Sequence, residues 1–352
     1  MFELNFMNQK KIAILTGGGD CPGLNAAIRG VTRRLLSNKY TVLGLLDGWA
    51  GLLEKRFVEL NYETTSGIIH VGGTILRTSR TNVLKDQATI DKAFQNFKEL
   101  GLDGIVAIGG EGTLTVSAKL FEKGMPLIGV PKTIDNDIDK TDFTFGFATA
   151  VEIATEAIDR LHTTAESHNR VMVVEVMGRH AGWIATYSGI AGGADVVVIP
   201  EKPRSIEEIC KIINARKDRG KRFSIVVVAE GAKILVNGKA TGISKERKDP
   251  FGRPLLGGIG QFLADEIEKV TGFESRVTVL GHVQRGGTPV SSDRVLATNF
   301  GITAGDMVIN NQWGMMPSLQ GATMKPVLLS DATSRLKTVP ERYLEILRSL
   351  EG

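Results

Sequence analysis

The sequence has little cysteine and no long apolar run, and both shortages exclude classes of protein. Its two cysteines, Cys21 and Cys210, are too few and too far apart for a disulfide framework or a zinc site. No apolar run approaches the ~20 residues that a membrane-spanning helix needs. The first eleven residues lack the apolar core of a signal peptide, so we expect a short extra tail there and a cytoplasmic protein.

An excess of charge of either sign is also missing. The 352 residues carry a formal net charge of only +4, which gives no support to a nucleic-acid or membrane partner. The length exceeds the ~250–300 residues at which single cores stop growing, so it predicts two domains. Glycine, by contrast, is abundant: its 41 residues exceed the usual share of about 7% and cluster at the ends of apolar runs.

Short apolar runs alternate with helical patterns along the chain. The predicted strands are 11–16, 41–46, 103–108, 126–130, 170–177, 196–200 and 224–229. Helices are predicted between them, for example over 23–36 and 113–123. Repeated strand–helix–strand units favour an α/β fold with mostly parallel sheets and helices on both faces. Ligands of such sheets bind beyond the carboxyl ends of the strands, and we expect each motif below to lie at such an end.

Two glycine-rich turns follow predicted strands. Residues 16–23, Thr-Gly-Gly-Gly-Asp-Cys-Pro-Gly, let the backbone approach an anion closely, which indicates a phosphate or nucleotide. The second turn, 109–113, leaves space at Gly112 for a phosphate chain, and its Glu111 is a candidate Mg²⁺ ligand. Neither turn has the spacing of a dinucleotide-binding fingerprint or a P-loop. The alternative for each is a tight structural turn without a ligand.

Residues 130–137, Val-Pro-Lys-Thr-Ile-Asp-Asn-Asp, place a lysine, a hydroxyl and two carboxylates after another apolar run. Residues two apart in an extended segment point the same way, so Thr133, Asp135 and Asp137 can line one wall. Asp135 could then take a proton from an attacking hydroxyl, with Asp137 holding it or orienting a Mg²⁺-bound water. The alternative is an Asx-type turn with solvated carboxylates. A phosphate-cradling turn near a carboxylate pair is what phosphoryl transfer to a hydroxyl requires.

Four arginines downstream suit phosphate groups, since a guanidinium fork matches phosphate oxygens. They are Arg170, Arg179, Arg276 and Arg285, each beside a glycine turn or a strand end. A single arginine is more often a surface charge, but four in such places favour phosphate binding. His282 taken alone is more typical of a structural histidine than of a ligand.

Five ordered motifs together resemble those of the phosphofructokinases, over residues 11 to about 304. They are Gly-Gly-Asp-Cys-Pro-Gly-Leu-Asn-Ala-Ala-Ile-Arg at 18–29, Gly-Gly-Glu-Gly-Thr at 109–113, Thr-Ile-Asp-Asn-Asp at 133–137, Glu-Val-Met-Gly-Arg at 175–179 and Leu-Gly-His-Val-Gln-Arg-Gly-Gly at 280–287. The resemblance implies two Rossmann-like three-layer domains with the active site in the cleft between them. It implies a phosphoryl-donor domain of 1–146 plus about 284–334, and a fructose 6-phosphate domain of 147–283 plus about 335–352.

The resemblance also implies a glycolytic reaction, the transfer of a phosphoryl group to the 1-hydroxyl of fructose 6-phosphate to give fructose 1,6-bisphosphate. The implied catalytic residues are Asp135, as the base, with Thr133, Asp137, Arg179, Arg80 and Lys132. The implied donor-binding residues are Gly18, Gly19, Arg80, Thr81, Gly110, Glu111, Gly112 and Thr113, with Mg²⁺ on Glu111. The implied sugar-phosphate residues are Thr133, Asp135, Arg170, Met177, Gly178, Arg179, Glu230, Arg276, His282 and Arg285.

Two of these arginines reach across from a neighbouring subunit in the family that the chain resembles. They match Arg170 and Arg276. The resemblance therefore implies a homo-oligomer, a tetramer, whose active sites are shared between subunits and act on small-molecule substrates.

The donor distinguishes two branches of the family. Pyrophosphate users resemble one another in an aspartate at the position of Gly112 and a lysine at the position of Lys132, whereas strict ATP users of the bacterial allosteric type have glycine at both. This chain is a hybrid. We favour ATP, because a carboxylate at position 112 would repel and obstruct the α-phosphate of ATP, and none is present. Lys132 keeps pyrophosphate open as the alternative donor.

Effector binding in the bacterial allosteric enzymes uses basic residues between subunits. Arg29 and Arg33 match two of them, but His162 and Tyr62 stand where arginines are expected, and Asp195 replaces a glutamate. Half of an anion-binding cluster is therefore missing, and we expect weak or absent regulation by those effectors.

A departure from the family pattern occurs at about 232–258, which is an insertion. Its Asn237-Gly238 pair and the charged run 245–250 predict a hairpin or loop at the surface.

Two other classes of protein share part of the pattern. A nicotinamide-dependent dehydrogenase would have the alternating strands and helices, but it needs a G-x-G-x-x-G turn with an acid at the next strand end, and neither fits well. A non-catalytic sugar-phosphate sensor would keep the arginines and lose the base. Asp135 and Asp137 are both present, which argues against a sensor.

Overall fold

The computed structural model describes residues 9–241, 244–248 and 254–351. The chain forms two compact units. One consists of residues up to 133 with 138–146 and 285–336, and the other of 134–137, 147–284 and 337 onward. The four residues 134–137 therefore pack with the second unit, although the chain on both sides of them belongs to the first.

The elements alternate between strand and helix over most of the chain. In chain order they are β1 (Lys11–Gly17), α1 (Leu24–Leu36), β2 (Thr41–Leu45), α2 (Trp49–Glu54), β3 (Phe57–Glu59), α3 (Gln87–Glu99), β4 (Gly104–Gly109), α4 (Glu111–Glu122), β5 (Leu127–Pro131), α5 (Phe147–His168), β6 (Val171–Val176), α6 (Trp183–Ala191), β7 (Val196–Val198), β8 (Arg204–Ser205), α7 (Ile206–Asp218), β9 (Ser224–Ala229), β10 (Ile234–Val236), β11 (Lys239–Thr241), β12 (Ser244–Lys248), β13 (Pro254–Leu256), α8 (Ile259–Thr271), β14 (Ser275–Val279), α9 (Ser291–Ile309), β15 (Met315–Gln320), β16 (Thr323–Leu328), α10 (Leu329–Ala332) and α11 (Glu341–Leu350). A 3₁₀ helix spans Gly281–Arg285.

The first unit is built on a seven-stranded sheet in the order β16-β15-β5-β4-β1-β2-β3. The strands β15, β5, β4, β1 and β2 are parallel, and the two edge strands β16 and β3 are antiparallel to their neighbours. Successive residues of β1 point to opposite faces, and Ile12, Ala13, Ile14 and Leu15 are all 0% exposed. Both faces of the sheet are therefore covered, which explains why the parallel strands are continuously apolar.

The second unit is built on a four-stranded parallel sheet in the order β14-β6-β9-β7. Its core joins valines of β6, β7 and β9 to Ile209 and Ile213 of α7. That helix begins with a capping box, in which the Ser205 hydroxyl accepts from the Glu208 N–H and the Glu208 carboxylate accepts from the Ser205 N–H. The predicted α/β class with mostly parallel sheets is confirmed in both units.

The insertion contains the predicted hairpin. Strands β10 and β11 pair antiparallel around Asn237 and Gly238, whose φ angles are 50° and 73°. Positive φ at both central residues is the pattern of a tight hairpin turn, which Asn-Gly favours. Strands β12 and β13 also pair antiparallel. The rest of the charged run, residues 249 and 250, lies outside the described residues.

Over the described ranges, no helix combines the length and the apolar character needed to cross a membrane.

Candidate active site

Three neighbouring strands of the first unit end side by side. Gly17 at the end of β1 pairs with Gly109 at the end of β4, and Gly109 pairs with Pro131 at the end of β5. The glycine turn at 17–19, the glycine turn at 109–113 and Lys132 therefore begin at one edge of one sheet. This is the carboxyl edge, where ligands of parallel sheets bind.

Thr113 fixes the contact between the first two of these strand ends. Its side chain packs so closely on Gly17 and Gly109 that a Cβ at either glycine would overlap it. Glycine is thus required at both positions by the packing of Thr113, which is itself buried. Thr113 therefore has a structural role in this unit, in addition to the predicted role in donor binding.

Gly112, by contrast, faces open space. A Cβ built on this residue would meet no heavy atom within 4 Å. Gly112 lies in the first turn of α4, after Gly110 as the N-cap and Glu111 as the first helical residue. The N-terminus of a helix favours an anion, because its first N–H groups have no partner within the helix. The space that the sequence predicts at Gly112 is therefore present within this unit.

Lys132 connects the third strand end to the first turn. Its backbone N–H donates to the Gly109 carbonyl at 3.0 Å, and its Nζ donates to the Gly19 carbonyl. The side chain is buried, with 3% of the residue exposed. The ammonium group thus lies at the predicted phosphate turn and already serves a contact within the unit.

Arg285 also lies at this turn. Its guanidinium group packs against Gly19 so closely that a Cβ there would overlap it. Of the other predicted donor residues, Gly18 accepts a hydrogen bond at its carbonyl from the Thr78 hydroxyl at 2.8 Å, and the Thr81 hydroxyl lies 2.9 Å from that of Ser79. Arg80 is exposed. The structure places Arg285 beside a donor turn of the first unit, whereas the resemblance implies a role for it in binding the sugar phosphate.

Cys21 is buried in the same loop. Its thiol donates to the Phe145 carbonyl at 3.7 Å. Burial raises the pKa of the Cys21 thiol to about 12, although Lys132 and Arg285 nearby act in the opposite direction.

The second unit brings several predicted sugar-phosphate residues together. Met177, Gly178 and Arg179 follow β6, and Glu230 follows the neighbouring strand β9. The Arg179 N–H donates to Glu230 Oε1 at 3.3 Å, and Arg179 and Gly178 have φ angles of 46° and 138°. His282 follows β14 and is exposed. These residues all leave the carboxyl edge of the second sheet.

Asp135 belongs to this second unit and is 8% exposed. Burial raises the pKa of the Glu230 carboxyl above its ordinary value, and the charges of Asp135 and Glu175 raise it further. The Asp135 carboxylate is therefore close enough to Glu230 to raise its pKa. Two acids in such an arrangement are typical of a site that handles protons.

The expectation that 133–137 is extended is wrong. Ile134 and Asp135 lie in a turn, and Asn136 has a φ of 51°, in the left-handed region. Alternation along an extended strand therefore does not place Thr133, Asp135 and Asp137 on one wall. Thr133 is the last residue of its segment in the first unit, where its carbonyl accepts from the Thr144 hydroxyl at 2.7 Å.

The expectation that every motif lies at a carboxyl strand end is also wrong for Arg170 and Arg276. Arg170 directly precedes β6 and Arg276 is the second residue of β14, so both lie at the amino edge of the sheet. There Glu274 holds both guanidinium groups, with 2.8 Å between its Oε2 and Arg170 Nε. The six residues of β6 separate this pair from Arg179 by roughly 20 Å, at about 3.3 Å per residue.

No group of three or more His, Cys, Asp or Glu side chains that could hold a metal ion occurs among the residues that the structure describes. Mg²⁺ commonly binds through one or two carboxylates together with substrate phosphates and water. Glu111, half-buried at the start of α4, fits that requirement as a single carboxylate.

Two of the substituted effector positions make contacts inside the second unit. The Asp195 carboxylate accepts from the Ile225 N–H at 2.8 Å and pairs with Arg216 at 2.8 Å. The His162 ring lies 2.7 Å from the Gly192 carbonyl. Both side chains therefore bond to other residues of the same unit. The expected weakness of effector regulation stays a prediction.

Comparison with known proteins decides the family. Residues 11–308 match the family model described as Phosphofructokinase. The chain belongs to the phosphofructokinase family. This membership agrees with the resemblance drawn from the five motifs.

Relatives of this phosphofructokinase carry two kinds of name. The chain is 52% identical to a pyrophosphate–fructose 6-phosphate 1-phosphotransferase of Amycolatopsis mediterranei, over 95% of this chain and 98% of that protein. It is 50% identical to an ATP-dependent 6-phosphofructokinase of Corynebacterium efficiens, over 96% of this chain and 98% of that protein. Identity at this level thus does not separate the two donors.

A solved structure supports the fold. The phosphofructokinase of Pichia pastoris in the T-state is similar with a TM-score of 0.81 and 32% identity, over 98% of this chain and 37% of that chain. A pyrophosphate-dependent phosphofructokinase of Marinobacter aquaeolei has a TM-score of 0.80 at 21% identity, over 97% of this chain and 92% of that chain, which shows the fold alone.

The raised pKa of Glu230 yields a prediction about stability. Because the folded-state pKa lies above the unfolded value, stability is full in acid and is lost as pH rises through the folded pKa. Glu230→Gln removes this loss, since an amide carries no charge to bury. We expect its melting temperature to exceed that of the wild type at pH 7.5 and to converge with it toward pH 4.5.

Thermal unfolding from pH 4.5 to 8 measures this difference. Glu345→Gln, at an exposed position of α11, is the matched control and should show no such dependence on pH. A Glu230→Gln variant that melts below the wild type at pH 7.5 would contradict the prediction.

Proposed function

We propose that this phosphofructokinase transfers the γ-phosphoryl group of ATP to the 1-hydroxyl of fructose 6-phosphate. The observation that carries the proposal is the alignment of three strand ends in the first unit, which gathers Gly17–Gly19, Gly109–Thr113 and Lys132 at one edge of a sheet. Only two residues, Thr133 and Ile134, separate Lys132 from Asp135 along the chain. A phosphate-binding edge is thus followed directly by a buried carboxylate.

Asp135 acts as the general base in this proposal. Its carboxylate accepts the proton of the sugar 1-hydroxyl as that oxygen bonds to the γ-phosphorus, and the bond from phosphorus to the β,γ-bridging oxygen breaks to release ADP. Burial of Asp135 excludes water, which would otherwise compete for the phosphoryl group. Thr133 and Asp137 are the further residues proposed beside the base.

Positive groups are needed because charge on the transferring phosphoryl group must be offset, a largely electrostatic task. We assign this task to Arg80 and Arg179. Glu111 would hold Mg²⁺, and the bound ion would neutralise part of the negative charge on the phosphates of the donor. Met177, Gly178, Arg179, Glu230 and His282 are proposed for the sugar phosphate.

The open space at Gly112 supports ATP as the donor. A nucleotide continues beyond the two phosphates that pyrophosphate also offers, so its binding needs room for the α-phosphate. A carboxylate at position 112 would bring a negative charge toward that phosphate, and juxtaposing like charges costs several kcal/mol. At this position the chain presents neither a side chain nor a neighbouring atom within 4 Å of where one would begin.

The contact of Lys132 weakens the argument for pyrophosphate. The reason to link this lysine with pyrophosphate is the charge that it adds. Its Nζ donates to the Gly19 carbonyl, and its side chain is buried. A lysine that ties two segments of the fold together has a reason to be present whichever donor is used.

Arg170 and Arg276 support a shared active site. Both lie at the amino edge of the second sheet, about 20 Å along β6 from Arg179, so they are badly placed to serve a phosphate beside Arg179 of the same chain. We propose that they serve the sugar phosphate of a neighbouring subunit in a homo-oligomer. Within one chain, both arginines form ion pairs with Glu274.

An assay with fructose 6-phosphate and Mg²⁺ tests the proposed reaction directly. We expect formation of fructose 1,6-bisphosphate with ATP in one reaction and little or none with pyrophosphate in another. Turnover with pyrophosphate and none with ATP would contradict the inference from Gly112 and favour the one from Lys132.

Substitution at Gly112 tests the reason for the donor choice. Gly112→Asp should lower kcat/KM for ATP by about 100-fold or more, since about 3 kcal/mol of repulsion corresponds to that factor. Gly112→Ala is the matched control, because a Cβ fits there and alanine favours the helix. Equal losses for the two variants would show that space, and not charge, is what matters.

The role of Asp135 as the base predicts a variant that binds but does not react. Asp135→Ser should lower kcat by about 10²–10⁴-fold, the usual worth of a general base. Binding of fructose 6-phosphate, measured by calorimetry, should persist. A non-catalytic sugar-phosphate sensor would instead show no turnover in the wild type. An Asp135→Ser variant with the wild-type kcat would show that Asp135 is not the base.

A shared site predicts complementation between inactive variants. Asp135→Ser homo-oligomers and Arg276→Ala homo-oligomers should each be nearly inactive. Dissociation and joint reassembly should restore activity, because an Arg276→Ala subunit supplies an intact Asp135 and its Asp135→Ser neighbour supplies an intact Arg276. If the mixture stays as inactive as its parents although hybrids form, the arginine acts within its own subunit.

A further inference from the structure

Lys337 contacts the turn that carries Asp135. Its backbone N–H donates to the Asp137 carbonyl at 3.0 Å, and its Nζ donates to Asn136 Oδ1 at 2.9 Å. All four residues belong to the second unit. One lysine, distant in sequence, therefore holds the two residues that follow Asp135.

The backbone conformation of Asn136 shows why the contacts of Lys337 are needed. Its φ of 51° lies in the left-handed region, which residues other than glycine adopt uncommonly. Conformations of this kind persist when the surroundings enforce them. Because Asn136 follows Asp135 directly and is 0% exposed, its backbone angles set the direction in which the chain leaves Asp135.

Lys337 is itself held by α6. Its carbonyl accepts from Trp183 Nε1 at 3.0 Å, and its ammonium group lies 5.1 Å from the centroid of the Trp183 ring. A cation over a tryptophan face at this distance is attracted by the ring. Nearby, the hydroxyls of Tyr187 and Tyr343 lie 2.5 Å apart and join α6 to α11. The lysine is thus fixed at its backbone and at its charged end.

We propose that Lys337 is a positioning residue for Asp135. Its side chain holds Asn136, and Asn136 holds the Asp135 carboxylate in the direction from which it takes the proton of the sugar hydroxyl. The inference rests on the proposed function, in which Asp135 is the base. Lys337 acts through Asn136 and affects the chemical step, because a base displaced by about 1 Å costs up to about 10²-fold in rate.

Lys337→Met tests the proposal, since methionine nearly keeps the length of the side chain and leaves the backbone bond to Asp137 intact. We expect kcat to fall by about 10–100-fold while KM for fructose 6-phosphate stays within about threefold. Lys337→Arg keeps a cation for Trp183 and a donor for Asn136, and it should recover most of kcat. Lys211→Met, at an exposed lysine of α7 in the same unit, is the matched control and should have the wild-type kcat.

Asn136→Gly removes the same hydrogen bond from the other side. Glycine adopts a positive φ without strain, so the turn is kept while the amide acceptor is lost. If both residues act through one contact, the variant carrying both changes should lose little more activity than either single variant. Losses that multiply in the double variant would contradict the proposal, because they would show two independent effects.

The outcomes separate this inference from the proposed function. A wild-type protein that phosphorylates fructose 6-phosphate with neither donor overturns the function itself. If the wild type is active and Lys337→Met has the same kcat as Lys211→Met, only the role of Lys337 is overturned. A rise in KM that accounts for the whole loss of activity has the same consequence. If Lys337→Met fails to fold in a thermal-unfolding assay, Asn136→Gly decides alone: a lowered kcat supports the role, and an unchanged kcat overturns it.

Discussion

The register between β1, β4 and β5 is the constraint on which the site of the first unit depends. Gly17, Gly109 and Pro131 lie beside one another, and the side chain of Thr113 packs on the first two. Shifting one of these strands by a single residue would turn its side chains to the opposite face and separate the turns. The close packing of Thr113 requires glycine at both 17 and 109, so it fits only this register, and the polar groups of the site follow from it.

The position proposed to decide the donor is a contrast to this, because the packing of the fold does not constrain Gly112. Relatives about equally similar to this chain are named for ATP and for pyrophosphate. A change at Gly112 disturbs no packing, since nothing lies near its missing side chain. Lys132, which contacts Gly19, is less free to change. With the role proposed for Gly112, donor preference can change while the scaffold remains the same.

Much of the fold is predictable because its buried parallel strands are short apolar runs, of which β1, β4 and β5 end at glycine or proline. Strand β14 was missed, since Arg276 and Thr278 interrupt its apolar pattern. For the segment ending at Asp137 the sequence predicts an extended chain with an Asx-type turn as the alternative, because no local signal shows that Lys337, about two hundred residues later, holds Asn136. The placement of Arg285 at Gly19 and of Arg170 at the amino edge likewise depends on topology. Motifs identified the residue types of the site, and tertiary contacts decided which of them meet.

Cys21 has a chemical consequence for the loop that carries the first glycine turn. Positive neighbours usually make a thiol reactive, and both Lys132 and Arg285 are close enough to act on it. Burial outweighs them and raises the pKa of the thiol to about 12, so the thiol is protonated at neutral pH. Peroxides and alkylating agents attack the thiolate, so we expect this loop to resist oxidation although two cations lie near its cysteine.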